Sequence, residues 1–128
     1  MKIISALPRI VLGLAFGVLP WLAILHLVPD QGNPPAAAAF TDAMMKTGYM
    51  LPLVWGTEVV AGVLLLLGVF VPFALILLAP VLVNILLFHA FLAPSGAVLA
   101  LVLCLLGMTV AWQHRRAFDS LFTSGGSV

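Results

Sequence analysis

Residues 50–92 read MLPLVWGTEVVAGVLLLLGVFVPFALILLAPVLVNILLFHAFL, and Glu58 and His89 are the only titratable side chains in this stretch. A helix needs about 20 apolar residues to cross the hydrocarbon core of a bilayer. The stretch holds two such lengths, 50–70 and 72–92, divided at Val71-Pro72. Pro72 suits the first turn of a helix, where its missing N–H costs nothing. So short a link makes the two helices antiparallel neighbours.

Working outward, the turn Ala93-Pro94-Ser95-Gly96 leads into a further apolar run at 97–113. Upstream, a run at 7–28 is stopped by Pro29, Gly32, Pro34 and Pro35. It is longer than the 7–15 apolar residues of a signal peptide, so it reads as a retained span. The sequence therefore predicts an all-α fold, a four-helix transmembrane bundle in a single domain over 1–122. The tail 123–128 reads as disordered. Composition agrees: 64% of the 128 residues are hydrophobic and 7% charged. Soluble domains average roughly 45–50% and about 25%, and a soluble chain this small could not bury so much apolar surface.

Charge sets the orientation. Lys2 and Arg9 lie near the start, and Arg115 and Arg116 follow the last span. Four spans put both termini on one side, and the positive-inside rule makes that side the cytoplasm. The long loop 29–49 then faces out and carries Asp30, Asp42 and Lys46. Within it, 36–46 reads as a short interfacial helix with Phe40, Ala43 and Met44 at helical spacing. Trp112 and Phe118 at one edge, and Tyr49 and Trp55 at the other, fit aromatic belts.

Lipid gives helices no hydrophobic reason to associate, so small residues and polar contacts must hold the bundle. Gly13 and Gly17 form such a face, with Arg9 and Trp21 four residues to either side. Ala61 and Gly62 share a face with Glu58, which should point inward. Pro20 and Pro80 sit mid-helix, each removing one backbone bond; such kinks either open a cavity or are packing features only.

Glu58 is the most informative residue. It lies about 12 Å into its span. An ionised carboxylate at such depth costs about 2.5 kcal/mol or more without a partner. It must stay neutral or meet a cation or hydrogen-bond donors. Counting back along the next helix puts Asn84 at nearly the same level, as the simplest partner. His89 lies closer to the loop side and about 140° around the helix from Asn84. His26 could join the same rim, while Arg9 sits too near the opposite end for a direct pair. The polar group is either a tie between helices or a pocket that binds a ligand and handles protons.

Other chemistries are excluded. The net charge of +1 offers no basic stripe for nucleic acid. Cys104 is the single cysteine, which removes paired-thiol chemistry and thiolate metal sites within this chain. No metal site is expected. Phosphate-binding, zinc-protease and nucleophile-elbow motifs are missing. No internal repeat suggests a transporter.

The order of these features resembles the DoxX family of small bacterial membrane proteins. The match runs from Pro8-Arg9 and Leu12-Gly13-Leu14-Ala15-Phe16-Gly17 through Gly48-Tyr49-Met50-Leu51-Pro52. Its most specific part is the segment from Thr57-Glu58 to Gly68, followed by Asn84-Ile85-Leu86-Leu87-Phe88-His89 and then Ala111-Trp112. The resemblance implies a four-helix protein of the bacterial cytoplasmic membrane. Some members are named as a subunit of a thiosulfate:quinone oxidoreductase, others are linked to oxidative-stress complexes, and a distant eukaryotic branch acts as a membrane chaperone. Arg9, Glu58 and His89 match the family's polar positions. The family's first helix often ends near a lysine, where this chain has His26.

Two functions follow. In the first, the chain is a small subunit of a quinone-linked oxidoreductase: Glu58 and His89 handle protons, and Asn84, Arg9 and His26 help bind the ligand. In the second, it is an accessory or assembly subunit of a larger respiratory or photosynthetic membrane complex. There it would bind lipid or pigment, and His89 or His26 could ligate a haem or chlorin. Either way its partners are the lipid bilayer and other membrane subunits.

Overall fold

A computed structural model describes residues 2–27 and 32–125 of the chain. Val28, Pro29 and Asp30, and residues 126–128 of the tail, lie outside the described residues. The described residues form helices and no strand. The order is α1 (Lys2–Ile24), α2 (Pro35–Lys46), α3 (Met50–Leu67), α4 (Val71–Phe91), a 3-10 turn (Pro94–Gly96), α5 (Ala97–Gln113), α6 (Arg115–Phe118) and a second 3-10 turn (Asp119–Phe122). Four stretches are long and apolar enough to cross a membrane: α1, α3, α4 and Pro94–Gln113.

These four pack in a ring, each against the helices on either side, in the order α1, α3, α4, α5 and back to α1. The start of α1 and the end of α5 lie at one end of the bundle, the terminal end, where Gln113 Nε2 donates to the Ser5 carbonyl at 3.1 Å. α2 lies at the other end, the loop end. It begins with Pro35 in the first turn. Its packed face is Ala37, Phe40 and Met44. Ala37 is fully buried, and the Phe40 ring sits 5.7 Å from that of Phe88. On its solvent side Asp42 accepts from Lys46 Nζ at 2.7 Å and holds the ammonium above its usual pKa.

The spans end where backbone chemistry stops them, not where apolarity runs out. α1 starts at Lys2, earlier than hydropathy suggests, and ends at Ile24. His26 takes a left-handed conformation (φ 55°), His26 N–H bonds the Ala23 carbonyl and Leu27 N–H bonds the Leu22 carbonyl. That pair of bonds satisfies carbonyls the helix end leaves open. Gly68 (φ 71°) closes α3 in the same way, through Gly68 N–H to Leu65 and Val69 N–H to Leu64. The apolar run continues to Phe70, but α3 has already stopped at Leu67.

The main cluster of buried side chains lies toward the end that holds the termini. Leu12 and Phe16 of α1 meet Ala61 and Leu65 of α3, Ala74, Leu75 and Leu78 of α4, and Val110 of α5. The closest approach is α1 on α3. A methyl group added at Gly62 would run into the backbone of Phe16 and Gly17, 2.6 Å from Gly17 Cα. One added at Gly13 would meet the Leu66 side chain at 2.9 Å and the Gly62 carbonyl at 3.0 Å. At Gly17 it would find ordinary contact, 3.5 Å from the nearest atom of Leu66. So the three glycines are unequal, although the sequence presents them alike. Gly62→Ala is expected to lower the stability of the detergent-solubilised protein by about 1–3 kcal/mol, since backbone cannot step aside. Gly17→Ala should be nearly neutral. Thermal unfolding of the two variants side by side checks this.

Candidate functional site

Glu58 occupies the third turn of α3, three residues before the buried Ala61 and four before Gly62. The small residues draw that face of α3 against α1, and Glu58 is carried inward with it. It lines an open cavity of about 240 Å³ bordered by all four spanning helices. Ala15, Phe16, Leu19, Pro20 and Ala23 of α1 form one wall, Trp55 and Glu58 of α3 the second, and Ile85 of α4 and Leu103 of α5 complete it. Glu58 is the only titratable side chain in that lining. It is half-buried and has no hydrogen bond or ion pair with any described residue.

The cavity exists because the lining on α1 is small or bent. Ala15 and Ala23 leave side-chain volume unfilled, and Pro20 removes the bond its N–H would have made to the Phe16 carbonyl. Leu19 and Ala23 are also exposed on the outer surface of α1, so the cavity opens sideways toward lipid at that point. Trp55, expected in an aromatic belt, instead lines the cavity. Its far side lines a groove of about 440 Å³ between α1 and α3, shared with Trp21, Ile24 and Val59. Trp55 thus separates the acidic cavity from the lipid-facing groove. The spacing of three between Trp55 and Glu58 was the sequence signal for this shared face.

The other candidate residues are placed elsewhere. Arg9 lies at the terminal end of the bundle, where Arg9 Nη1 donates to the Leu65 carbonyl and, at 3.4 Å, to the Leu66 carbonyl. It caps the last turn of α3, whose carbonyls and negative dipole end both favour a cation. Its head also packs against Gly68. His89 closes the other end of α4. A carbonyl can only accept, so His89 Nδ1–H donates to Ala93 O at 3.0 Å, with the ring against Gly96 and edge-on to Phe88 at 5.2 Å. His26 is exposed beyond the end of α1.

Asn84 is not the partner of Glu58. Counted from the turn joining the two helices, it stands four residues farther along α4 than Glu58 does along α3, about 6 Å. It is also turned away. Ile85 lines the cavity, and Asn84, one residue and 100° around, is exposed on the outer surface. Counting from the loop side makes the two residues look level, but α4 has 21 residues and α3 has 18. Among the described residues no cluster of His, Cys, Asp or Glu could hold a metal ion. Cys104 is half-buried and donates weakly to the Leu82 carbonyl at 3.7 Å.

These features define a multi-pass membrane protein with one carboxyl set in a carbon-lined cavity between its spans. The chain belongs to the DoxX family, whose profile matches residues 4–90. The matched segment includes Arg9, Glu58, Asn84 and His89 and stops before α5, so Leu103 and Ala111-Trp112 fall outside it. No curated protein and no solved structure matches the chain.

Arg9 is expected to serve the fold. Arg9→Met should cost about 1.5–3 kcal/mol of stability, the range for a hydrogen bond to a charged group. Arg9→Lys should recover only part of it: Nη1 alone serves both carbonyls and an ammonium has donors enough for two, but its stem is one atom shorter. Neither change should alter ligand affinity at Glu58, measured under conditions where both variants remain folded.

Proposed function

We propose that the chain is a small quinone-binding subunit of a membrane oxidoreductase. The observation that carries this reading is the isolated Glu58 carboxyl in a cavity otherwise lined by carbon and open toward lipid. The residues suit a quinone headgroup. Trp55 and Phe16 offer flat aromatic faces, and the protonated form of Glu58 can donate to a ring carbonyl. The gap at Leu19 and Ala23 suits an apolar tail lying among acyl chains. A bound quinone would supply two-electron, two-proton chemistry, with electrons delivered by a partner subunit. Glu58 would give one proton to a headgroup oxygen, and the second proton and the one that restores Glu58 would come, like the electrons, from the partner subunit. His89 supports this only indirectly: its Nδ1–H is held by Ala93, so it shapes the loop end and lies outside the cavity lining. Arg9, His26 and Asn84 take no part in binding on this reading.

Lys2, Arg115 and Arg116 at the terminal end support placing both termini in the cytoplasm of a bacterial inner membrane. At the loop end Lys46 is neutralised by Asp42. The cavity then sits in the outer half of the membrane.

The alternative is an accessory role in assembling a larger complex. It is favoured by how Arg9 and His89 are used, since both tie helix ends rather than face a ligand. Trp55 distinguishes the two. In a Trp21→Phe, Trp112→Phe background it is the single tryptophan. A short-chain benzoquinone titrated into that protein in lipid nanodiscs should quench its emission saturably. Glu58→Leu should weaken binding by about two- to tenfold, the worth of one net hydrogen bond. Glu58→Gln should retain most of the affinity, because an amide still donates, but should lose proton transfer in the assembled complex. Quenching that never saturates, or is indifferent to Glu58→Leu, would leave the accessory role as the better reading.

A further inference from the structure

Asn84 raises a question the cavity does not answer. It stands seven residues from the end of α4, about 10 Å inside the span, on the surface that faces lipid. Its amide has no hydrogen bond to any described residue. Hydrocarbon offers neither donors nor acceptors, so an amide left there is unfavourable. The side chain is too short to reach the headgroups, and it makes no bond to the preceding turn of its own helix. No described residue supplies a partner.

The residues around it describe that partner. Phe73, Leu77, Pro80, Asn84, Leu87 and Phe91 follow one another at alternating steps of four and three along α4. That is the spacing of a seam between two helices at a shallow crossing angle. Phe73, Leu87 and Phe91 are 52%, 49% and 79% exposed, and Pro80 and Asn84 are exposed as well; only Leu77 is half-buried, where it borders a groove on α3, so among the described residues the seam from Pro80 to Phe91 is uncovered. The seam does not overlap the cavity, which touches α4 through Ile85.

We infer that α4 pairs with α4 of a second copy of this chain, with Asn84 hydrogen-bonded to the same residue of that copy. The choice of a second copy rests on self-complementarity. Copies inserted with one orientation can be related by a two-fold axis along the membrane normal. Each residue on the axis then meets its equivalent at the same depth. A primary amide carries both a donor and an acceptor, so two of them satisfy each other. A ligand or unrelated helix would have to bring its own polar group to that depth. One polar residue in an otherwise apolar seam also sets the register of the pair. The inference does not rest on the quinone reading.

Cross-linking in native membranes tests it. In a Cys104→Ser background, Leu87→Cys lies on the seam one turn from Asn84. Leu101→Cys serves as the control, equally deep on the exposed face of α5. An oxidant should join Leu87→Cys into a species of twice the chain mass and leave Leu101→Cys monomeric. Single-molecule photobleaching in phosphatidylethanolamine/phosphatidylglycerol vesicles then measures the equilibrium. Asn84→Leu should weaken the dimer about five- to thirtyfold, and Asn84→Gln should recover most of the loss. Equal cross-linking at the two positions, a dimer unmoved by Asn84→Leu, or a Leu87→Cys product containing a different protein would each overturn the inference.

Discussion

The contact of backbone on backbone between α1 and α3 is the constraint from which the rest follows. Gly62 has no side chain, so the Phe16–Gly17 peptide lies directly on it. In a bilayer no expulsion of water pulls helices together, and such approaches are what dispersion can use. The contact also sets a register between two antiparallel helices. With Gly17 opposite Gly62, Arg9 falls at the end of α3, where open carbonyls need a donor. In the other direction, Pro20 and Ala23 fall opposite Glu58 and Trp55. One steric fact therefore places both the cap and the cavity.

Packing is divided along the membrane normal. Toward the termini, Leu12, Leu65, Leu78 and Val110 fill the space between the four helices. Toward the loops, alanines and a proline line α1, and the same ring of helices borders an open cavity of about 240 Å³. The well-packed half anchors the bundle and the loose half holds the cavity. That arrangement lets the cavity wall change without disturbing the core that keeps the helices in register.

The few polar side chains within the spans are sorted by what each can reach. Arg9 and His89 have backbone carbonyls within range at helix ends and are occupied by them. Glu58 faces inward and meets no polar group of the described chain, so it is the group left available for chemistry. Asn84 faces outward and is likewise unmatched. In water these four residues would all be satisfied by solvent. In hydrocarbon, the difference between a matched and an unmatched group is large enough to read as function or association.

The sequence alone determined the fold class, the number of spans, the antiparallel pairing of α3 with α4 and the inward face of Glu58. Each depends on period, length or turn residues, all local properties of the chain. It also carried the family resemblance, through the segments around Glu58 and His89. Only the tertiary structure decided which polar residues meet. The level of Asn84 relative to Glu58 turns on a few residues' difference in helix length, and a step of one residue swings a side chain by 100°. Likewise Gly13, Gly17 and Gly62 look equivalent on paper, and their unequal tolerance depends on which backbone atoms lie across the interface. Depth and azimuth are properties of the packed bundle, and no local pattern encodes them to the precision that a hydrogen bond requires.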